Sequence, residues 1–175
     1  MRFVIPEKVV SHFHIRPGDH VADFGAGSGY FMKPLSVAVG EEGVVYACEI
    51  QKNLVETLTN VADKEGLTNV RPIWCDLEKV GGSKIPEGSL DIVIVVNSFF
   101  QFEQKQGTVN EIKRVLRSGG KAIIIDWSES FGGLGPQPDS VITQDATEEL
   151  FVAAGFTTET TFDAGDHHYG ITFRA

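Results

Sequence analysis

VADFGAGSGYF, residues 21–31, is the stretch that decides the fold of this chain. Its first four residues are apolar except for Asp23, a pattern typical of the end of a buried strand. The next five, GAGSG at residues 25–29, alternate three glycines with small side chains. Because glycine has no Cβ, such a turn can adopt positive φ angles and can contact a ligand with its backbone. A helix from about Ser28 would direct free N–H groups at that ligand, so the stretch predicts a cofactor-binding turn.

The glycine spacing distinguishes two kinds of nucleotide-binding turn. The dinucleotide fingerprint has glycine at its first, third and sixth positions, and the sixth position here is Tyr30. Glycines at 25, 27 and 29, with Asp23 two residues ahead, resemble the first motif of the class I S-adenosylmethionine (SAM)-dependent methyltransferases. The resemblance implies SAM as cofactor and S-adenosylhomocysteine (SAH) as its product. It also implies an α/β fold with helices on both faces of a seven-stranded, mostly parallel sheet, in the order 3-2-1-4-5-7-6 with strand 7 antiparallel.

Composition and charge limit the classes of function. The chain has 175 residues, which is the size of one domain, and its 42% apolar and 22% charged residues are those of a globular protein. The net charge is −9, and from Asp126 onward nine acidic residues accompany one basic residue, Arg174. Such a surface repels phosphate backbones, so nucleic acid is a poor candidate substrate.

Location and redox state follow from the same sequence. No apolar run approaches about 18 residues and no signal-peptide pattern is present, which predicts a cytoplasmic protein without a membrane span. Cys48 and Cys75 are predicted to be reduced, partly buried thiols. No metal site is predicted, and the oligomeric state is left open.

Hydrophobic patterns predict that strands and helices alternate along one domain, and the resemblance implies that this domain, residues 1–175, is a methyltransferase domain. Residues 1–20 predict a helix to about Phe13 and a turn, and residues 78–90 an irregular connection. Residues 128–144, rich in glycine and proline, predict a mobile loop over the substrate pocket, with a plain linker as the alternative. Strands are predicted at 21–24, 44–50, 69–75, 90–96 and 121–126, helices from about Ser28 and at 54–64, 103–116 and 144–154, and a hairpin at 156–175.

Acidic residues follow two of the predicted strands. Glu49 ends the second strand, where a carboxylate can accept hydrogen bonds from both ribose hydroxyls, and Ile50 can lie against an adenine ring. The resemblance implies that Asp76 accepts a hydrogen bond from the adenine amino group and that Leu77 flanks the ring. The alternatives are a solvated acid and a turn-forming Asp. The predicted cofactor-binding residues are Asp23, Phe24, Gly25, Ala26, Gly27, Glu49, Ile50, Asp76, Leu77 and Asn97.

Later segments extend the resemblance over nearly the whole chain. The run 90–96 is apolar on both faces, which predicts a central strand that delivers Asn97 and the following residues to the ligand edge of the sheet. The segment VLRSGGKAIIIDW, residues 115–127, resembles the family's late helix, glycine turn and fifth strand. An antiparallel closing strand is typical of methyltransferases rather than dehydrogenases. Aromatic residues that can line an apolar pocket, or pack in the core, are Phe99, Phe100, Phe102 and Trp127.

Methyl transfer from a sulfonium is an in-line displacement that positioning alone can accelerate, so a dedicated base is not required. No catalytic residue is assigned. The candidates are Asn97, Asp126 and His167, and their alternatives are a cofactor ligand for Asn97, a turn acid for Asp126, and exposed turn histidines for His167 and the adjacent His168.

The sequence most resembles the small-molecule subgroup that includes quinone-pathway C-methyltransferases and arsenite methyltransferases. Arsenite enzymes use cysteines beyond the fifth strand, and this chain has none there. The prediction is therefore methyl transfer to a small, partly apolar molecule. A protein methyltransferase is one alternative, although the serine-rich substrate loop of protein-repair enzymes is missing. A non-catalytic module that binds SAM or SAH is another, and Tyr30 and the hairpin disfavour a nicotinamide dehydrogenase.

Overall fold

A seven-stranded sheet forms the centre of the computed structural model, which describes residues 4–175. The first three residues of the predicted N-terminal helix lie outside the described residues. The strand order is β3-β2-β1-β4-β5-β7-β6, and β7 runs antiparallel to both of its neighbours, as predicted. The strands are β1 (His20–Phe24), β2 (Val44–Glu49), β3 (Val70–Trp74), β4 (Leu90–Val96), β5 (Leu116–Trp127), β6 (Thr157–Asp163) and β7 (His168–Arg174).

Helices cover both faces of the sheet, which confirms the predicted layering. One core cluster contains Ile112 and Phe151, on the helices that follow β4 and β5, and the other contains Leu35 and Leu58, on the helices that follow β1 and β2. Residues of β4 alternate between the two clusters, as expected for a central parallel strand. The helices are α1 (Pro6–Val9), α2 (Met32–Val39), α3 (Lys52–Glu65), α4 (Lys105–Val115) and α5 (Gln144–Ala153), with 3₁₀ turns at Val10–Phe13, Phe99–Gln101 and Pro138–Ser140.

The predicted start of the helix after the glycine turn is wrong. That helix, α2, begins at Met32 and not at about Ser28. Gly25, Gly27 and Gly29 have φ angles of +87°, +54° and +86°, which a right-handed helix cannot include. The N–H groups nearest to the glycines therefore belong to the loop itself and not to the first turn of a helix.

The predicted glycine turn before the fifth strand is also wrong. β5 begins at Leu116, directly after α4, so residues 117–120 lie within the strand. Leu116 pairs with Leu90, and the register shifts before the next pair, between Ile92 and Lys121. The bulge accommodates the extra residues with Gly119 at a φ of +74°. The two elements are thus joined without a separate loop.

The closing segments agree with the predictions. The hairpin of β6 and β7 is antiparallel, and no helix occurs in residues 78–90. Within residues 128–144, Phe131 pairs with Leu134, and the mobility of this segment stays a prediction. No helix in residues 4–175 is long and apolar enough to span a membrane. The cytoplasmic location stays a prediction.

Glu111 on α4 anchors the irregular connection between β3 and β4. Its carboxylate accepts hydrogen bonds from the backbone N–H of Gly81 (2.6 Å) and of Ser83 (3.1 Å), and from the Arg114 guanidinium (2.7 Å). Burial by itself would raise the pKa of Glu111, but the bonds from Arg114, Ser83 and Gly81 lower it to about 2. A loop without regular structure is therefore fixed by one buried carboxylate.

We expect Glu111→Gln to lower the free energy of unfolding at pH 7 by about 3 kcal/mol, because the amide loses the charge-assisted bonds. The folded-state pKa lies below the unfolded value, so this stability is present above the unfolded pKa and is lost as pH falls toward about 2. Urea titrations at pH 7 and pH 3 measure it, with Glu56→Gln on the exposed side of α3 as control. An equal difference at both pH values would contradict the assignment.

Candidate active site

A cavity of about 670 Å³ opens at the carboxyl ends of β1, β2, β3 and β4. All of the predicted cofactor-binding residues line it except Phe24. The Phe24 side chain is fully buried in the core, and only its carbonyl takes part locally, by accepting a hydrogen bond from Ser98 Oγ (3.1 Å). The position of the cavity is the one where open α/β sheets bind their ligands.

The glycine loop forms one wall of the cavity with bare backbone. The N–H groups of Gly25 and Ala26 both donate to the Cys48 carbonyl at 3.0 Å, which fixes the loop against β2. A Cβ on Gly25 would lie 2.6 Å from Ser98 Oγ, whereas a Cβ on Gly27 would meet no protein atom within 4 Å. Glycine at 25 is thus required by the packing of the protein. Glycine at 27 keeps open the space that a ligand would fill.

Glu49 joins three parts of this wall. Its Oε2 accepts from the Gly27 N–H at 3.1 Å, and its Oε1 accepts from the N–H groups of Ile50 (2.8 Å) and Gln51 (3.0 Å). The side chain is buried, with 7% of its surface exposed. The carboxylate is therefore held in one orientation between the glycine loop and the start of α3.

Asp23 lies at the end of β1 and is almost fully buried. Burial, together with the negative charge of Glu49, raises the pKa of Asp23 to about 7. Asp76 differs, because a hydrogen bond from Lys79 lowers its pKa, with the ammonium 2.7 Å from Oδ2. A cation bound in the cavity would stabilise the ionised form of Asp23.

The charged side chains that line the cavity are all acidic, and one of them, Asp76, is paired with Lys79 outside the lining. Among the described lining residues the acids are Asp23, Glu49, Asp76 and Glu78, and none of these lining residues is a lysine, arginine or histidine. Such a lining attracts a cation and repels a pyrophosphate, since phosphate sites use basic side chains or unopposed backbone N–H groups. The arrangement therefore favours a positively charged nucleoside over a dinucleotide.

Asn97 lines the cavity and has an unusual buried polar atom. It directly follows β4, has a φ of +53°, and its N–H donates to the Ile125 carbonyl at 2.9 Å. Its Oδ1 atom is buried and has no hydrogen-bond partner. A buried acceptor without a donor costs about 1–3 kcal/mol, so this atom is suited to a donor supplied by a ligand.

The other two catalytic candidates do not line the cavity. Asp126 is buried, and its Oδ2 and Oδ1 accept from the N–H groups of Phe100 (2.9 Å) and Trp127 (2.8 Å). Burial raises its pKa to about 6 in spite of these bonds. His167 Nδ1 lies 2.7 Å from Glu129 Oε1, and the ring stacks on Phe131 with 3.9 Å between centroids. Both side chains thus hold neighbouring loops in place.

Several lining residues were not predicted. They come from α1, from the tip of the glycine loop, from the start of α3, from the connection after β3 and from the 3₁₀ turn after β4, and include Pro6, Tyr30, Leu54, Glu78 and Gln101. Of the aromatic candidates, Phe102 lines the cavity, whereas Phe99, Phe100 and Trp127 do not. The sequence signal for Leu54 was its place on an amphipathic helix, and Tyr30 carried none beyond following the glycines.

Comparisons with known proteins agree with this geometry. Residues 22–124, more than half of the chain, match the family described as a methyltransferase domain. The ubiquinone/menaquinone biosynthesis C-methyltransferase UbiE of Burkholderia cenocepacia is 25% identical over 120 residues, which are 69% of this chain and 48% of that protein. The chain therefore spans about half the length of this relative.

Solved structures extend the likeness to the whole fold. The crystal structure of a SAM-dependent methyltransferase from Aquifex aeolicus has a TM-score of 0.89 at 28% identity, and covers 97% of this chain and 88% of that one. An arsenic(III) SAM methyltransferase from Chlamydomonas reinhardtii has a TM-score of 0.73 at 21% identity. The match covers 90% of this chain and 63% of that one. The second likeness shows a common fold and says nothing of the substrate.

We expect Asp23→Asn to raise the free energy of unfolding at pH 8 by roughly 2–4 kcal/mol, because the amide avoids the cost of a buried charge. The folded-state pKa lies above the unfolded value of 3.8, so the stability from protonated Asp23 is lost as pH rises toward about 7. Urea titrations at pH 4 and pH 8 should therefore show the variants diverging with pH. Asp63→Asn, exposed on α3, is the control, and an Asp23→Asn protein less stable than wild type at pH 8 would contradict this view.

Proposed function

Because the chain belongs to the methyltransferase-domain family, we propose that it is a SAM-dependent methyltransferase acting on a small, partly apolar molecule. Its fold is that of the class I enzymes. The relatives of the UbiE type support a small-molecule acceptor, although the chain spans only about half of their length. The observation that carries the proposal is the cavity itself, with four carboxylates, no basic side chain among its described residues, and a wall of bare glycine backbone.

The charge of SAM fits this lining. SAM carries an ammonium and a sulfonium against one carboxylate, so its net charge is positive, whereas a dinucleotide carries a negative pyrophosphate. The carboxylates of Asp23 and Glu49 lie within the cavity wall, where a low dielectric strengthens their attraction for a cation. This difference supports SAM over NAD independently of the glycine spacing.

The residues present fit each part of the cofactor. Asn97 Oδ1, a buried acceptor without a donor, and Asp23 would receive the ammonium group. The backbone of the glycine loop would receive the rest of the amino-acid portion. Glu49 would accept hydrogen bonds from the ribose hydroxyls, and Asp76 from the adenine amino group, with Ile50 and Leu77 beside the ring.

When bound, SAM supplies an electrophilic methyl group on a positively charged sulfur. The chain's contribution is to orient and to exclude water. The cavity lining also includes the apolar side chains of Phe31, Val96 and Phe102. These side chains would hold an apolar acceptor next to the amino-acid portion of the cofactor.

We expect Gly27→Val to weaken SAH binding on the order of 100-fold, because a Cβ at this position meets no protein atom within 4 Å and the side chain would occupy ligand space. Isothermal titration calorimetry with SAH measures the effect. Gly66→Val is the matched control, because Gly66 ends α3 at a φ of +65° and its Cβ would also meet nothing within 4 Å. Both variants carry similar backbone strain, so only the first should lose affinity.

A second variant tests the ribose contact in the same titration. Glu49→Ala removes the carboxylate that would grip the sugar and should weaken SAH binding by at least about tenfold. Glu41→Ala, in the exposed turn before β2, should leave affinity unchanged. Unchanged affinity in both Gly27→Val and Glu49→Ala would overturn the cofactor site.

Formation of SAH from SAM distinguishes the alternatives. A panel of small hydroxyaromatic and quinol compounds, and a separate panel of peptides, would each be incubated with SAM and the full chain. We expect SAH release with the small molecules and not with the peptides. Release with peptides only would favour a protein methyltransferase, and tight SAM binding without release in either panel would favour a binding module.

A further inference from the structure

Lys79 contacts the carboxylate of Asp76 from outside the cavity. Asp76 lines the cavity two residues after the end of β3, whereas Lys79 lies outside the lining. The Lys79 ammonium is 2.7 Å from Asp76 Oδ2, and the backbone N–H of Glu78 donates to Asp76 Oδ1 at 3.1 Å. Each carboxylate oxygen therefore has one donor from the protein, and the two contacts together hold the carboxylate in one orientation.

The turn after β3 fixes the backbone of Lys79. The Lys79 carbonyl accepts a hydrogen bond from the Gly82 N–H at 2.8 Å. A Cβ on Gly82 would overlap the Asp76 carbonyl oxygen, so glycine at this position lets the turn close over the end of β3. The N–H groups on both sides of Gly82 donate to the buried carboxylate of Glu111. The Lys79 side chain thus extends from a fixed backbone close to Asp76.

The ammonium also acts on the charge of Asp76. Its hydrogen bond is the largest cause that lowers the pKa of Asp76, and it outweighs the partial burial that acts in the other direction. The other charged side chains of the described lining, Asp23, Glu49 and Glu78, are all acidic. Lys79 therefore supplies a positive charge that the lining itself does not, and it favours the ionised form of Asp76.

An ionised carboxylate in a fixed orientation matches the 6-amino group of adenine. The amino group donates hydrogen bonds, and an ionised carboxylate only accepts them, at about four positions. Because the Lys79 ammonium and the Glu78 N–H occupy one position on each oxygen, Asp76 keeps acceptor positions for a ligand in the cavity. A protonated Asp76 would lose part of this capacity.

An ordinary surface ion pair is the alternative. The Lys79 side chain is 78% exposed and that of Asp76 is 29% exposed, and exposed pairs contribute little to folding stability. Lys33 and Glu65 form a comparable pair at 3.2 Å, with 70% and 37% exposed, but neither of them lines the cavity. The two pairs differ in location and not in type, so an effect of Lys79 is expected in ligand binding and not in folding.

We propose that Lys79 is a positioning residue for the cofactor, which holds the Asp76 carboxylate in the charge and orientation that recognise the 6-amino group of adenine. This inference rests on the proposed function and deepens it, because it assigns part of the selectivity for adenine to a side chain outside the cavity. Lys79 itself touches no atom of the cofactor in this role. Its effect is therefore confined to ligands that carry the amino group.

Isothermal titration calorimetry at low salt tests the proposal with two ligands. One is SAH, and the other is the analogue of SAH that has purine in place of adenine and so lacks the 6-amino group. The wild type should prefer SAH about tenfold. Lys79→Met should reduce this preference about threefold through weaker SAH binding, while its affinity for the analogue stays unchanged. Effects on the ribose and amino-acid portions cancel in the ratio, because both ligands carry them.

Two further variants separate the role of the charge from that of the side chain. Lys79→Arg keeps a cationic donor and should retain most of the preference for SAH. Lys33→Met removes the lysine of the comparable pair and should leave the affinities for both ligands unchanged.

Unaltered binding of the analogue by Lys79→Met would also show that the variant is folded. If SAH binds the wild type but Lys79→Met leaves the preference unchanged, or weakens both ligands equally, Lys79 forms only a surface ion pair and the inference is overturned. A wild type that binds SAH and the analogue equally would overturn it as well. If SAH does not bind the wild type, the proposed function fails, and this inference fails with it.

Discussion

The carboxylate of Glu49 is the contact on which the geometry of the cavity depends. It accepts hydrogen bonds from the glycine loop and from the first residues before α3, so two segments that follow different strands share one acceptor. The Cys48 carbonyl, one residue earlier, receives two more N–H groups of the same loop. The end of β2 therefore fixes the loop after β1 and with it the shape of the space between them.

Glu111 and Asp23 are both buried acids, but their surroundings shift their pKa values in opposite directions. Glu111 is surrounded by donors, and its lowered pKa reflects a stabilising contact that holds an irregular connection. Asp23 is buried near a second carboxylate, that of Glu49. Its raised pKa shows that the ionised form is unfavourable there. The ionised Glu111 therefore stabilises the fold beside the connection, whereas an ionised Asp23 in the cavity wall destabilises it. A cationic ligand would supply the missing compensation, which is how binding sites commonly differ from structural ion pairs.

The carboxyl edge of the sheet divides into two regions with different chemistry. The ends of β1, β2 and β3 carry acids and bare backbone, suited to a polar, positively charged nucleoside. The region from β4 to β7 carries Asn97 and His168, each with one buried polar atom that has no hydrogen-bond partner, and the His168 ring packs on Trp127. Asp126 and His167 lie in this second region, but they bind loop backbone and a loop side chain. Their role there is to support the edge.

The sequence by itself determined the central place of β4 and the acids at the ends of β2 and β3, because strand periodicity and chain neighbours are local properties. The sheet order followed from the resemblance of its motifs to those of a known family. The predicted cofactor-binding residues line the cavity except for Phe24, and tertiary structure decided that exception and the lining residues that were not predicted. Phe24 packs into the core although it sits between two lining residues, and of two adjacent histidines one contacts Glu129 while the other keeps a buried, unpaired nitrogen. The physical reason is that the direction of a side chain at a strand end depends on the pleat, on the register with neighbouring strands and on loops distant in the chain. Local patterns contain none of that information.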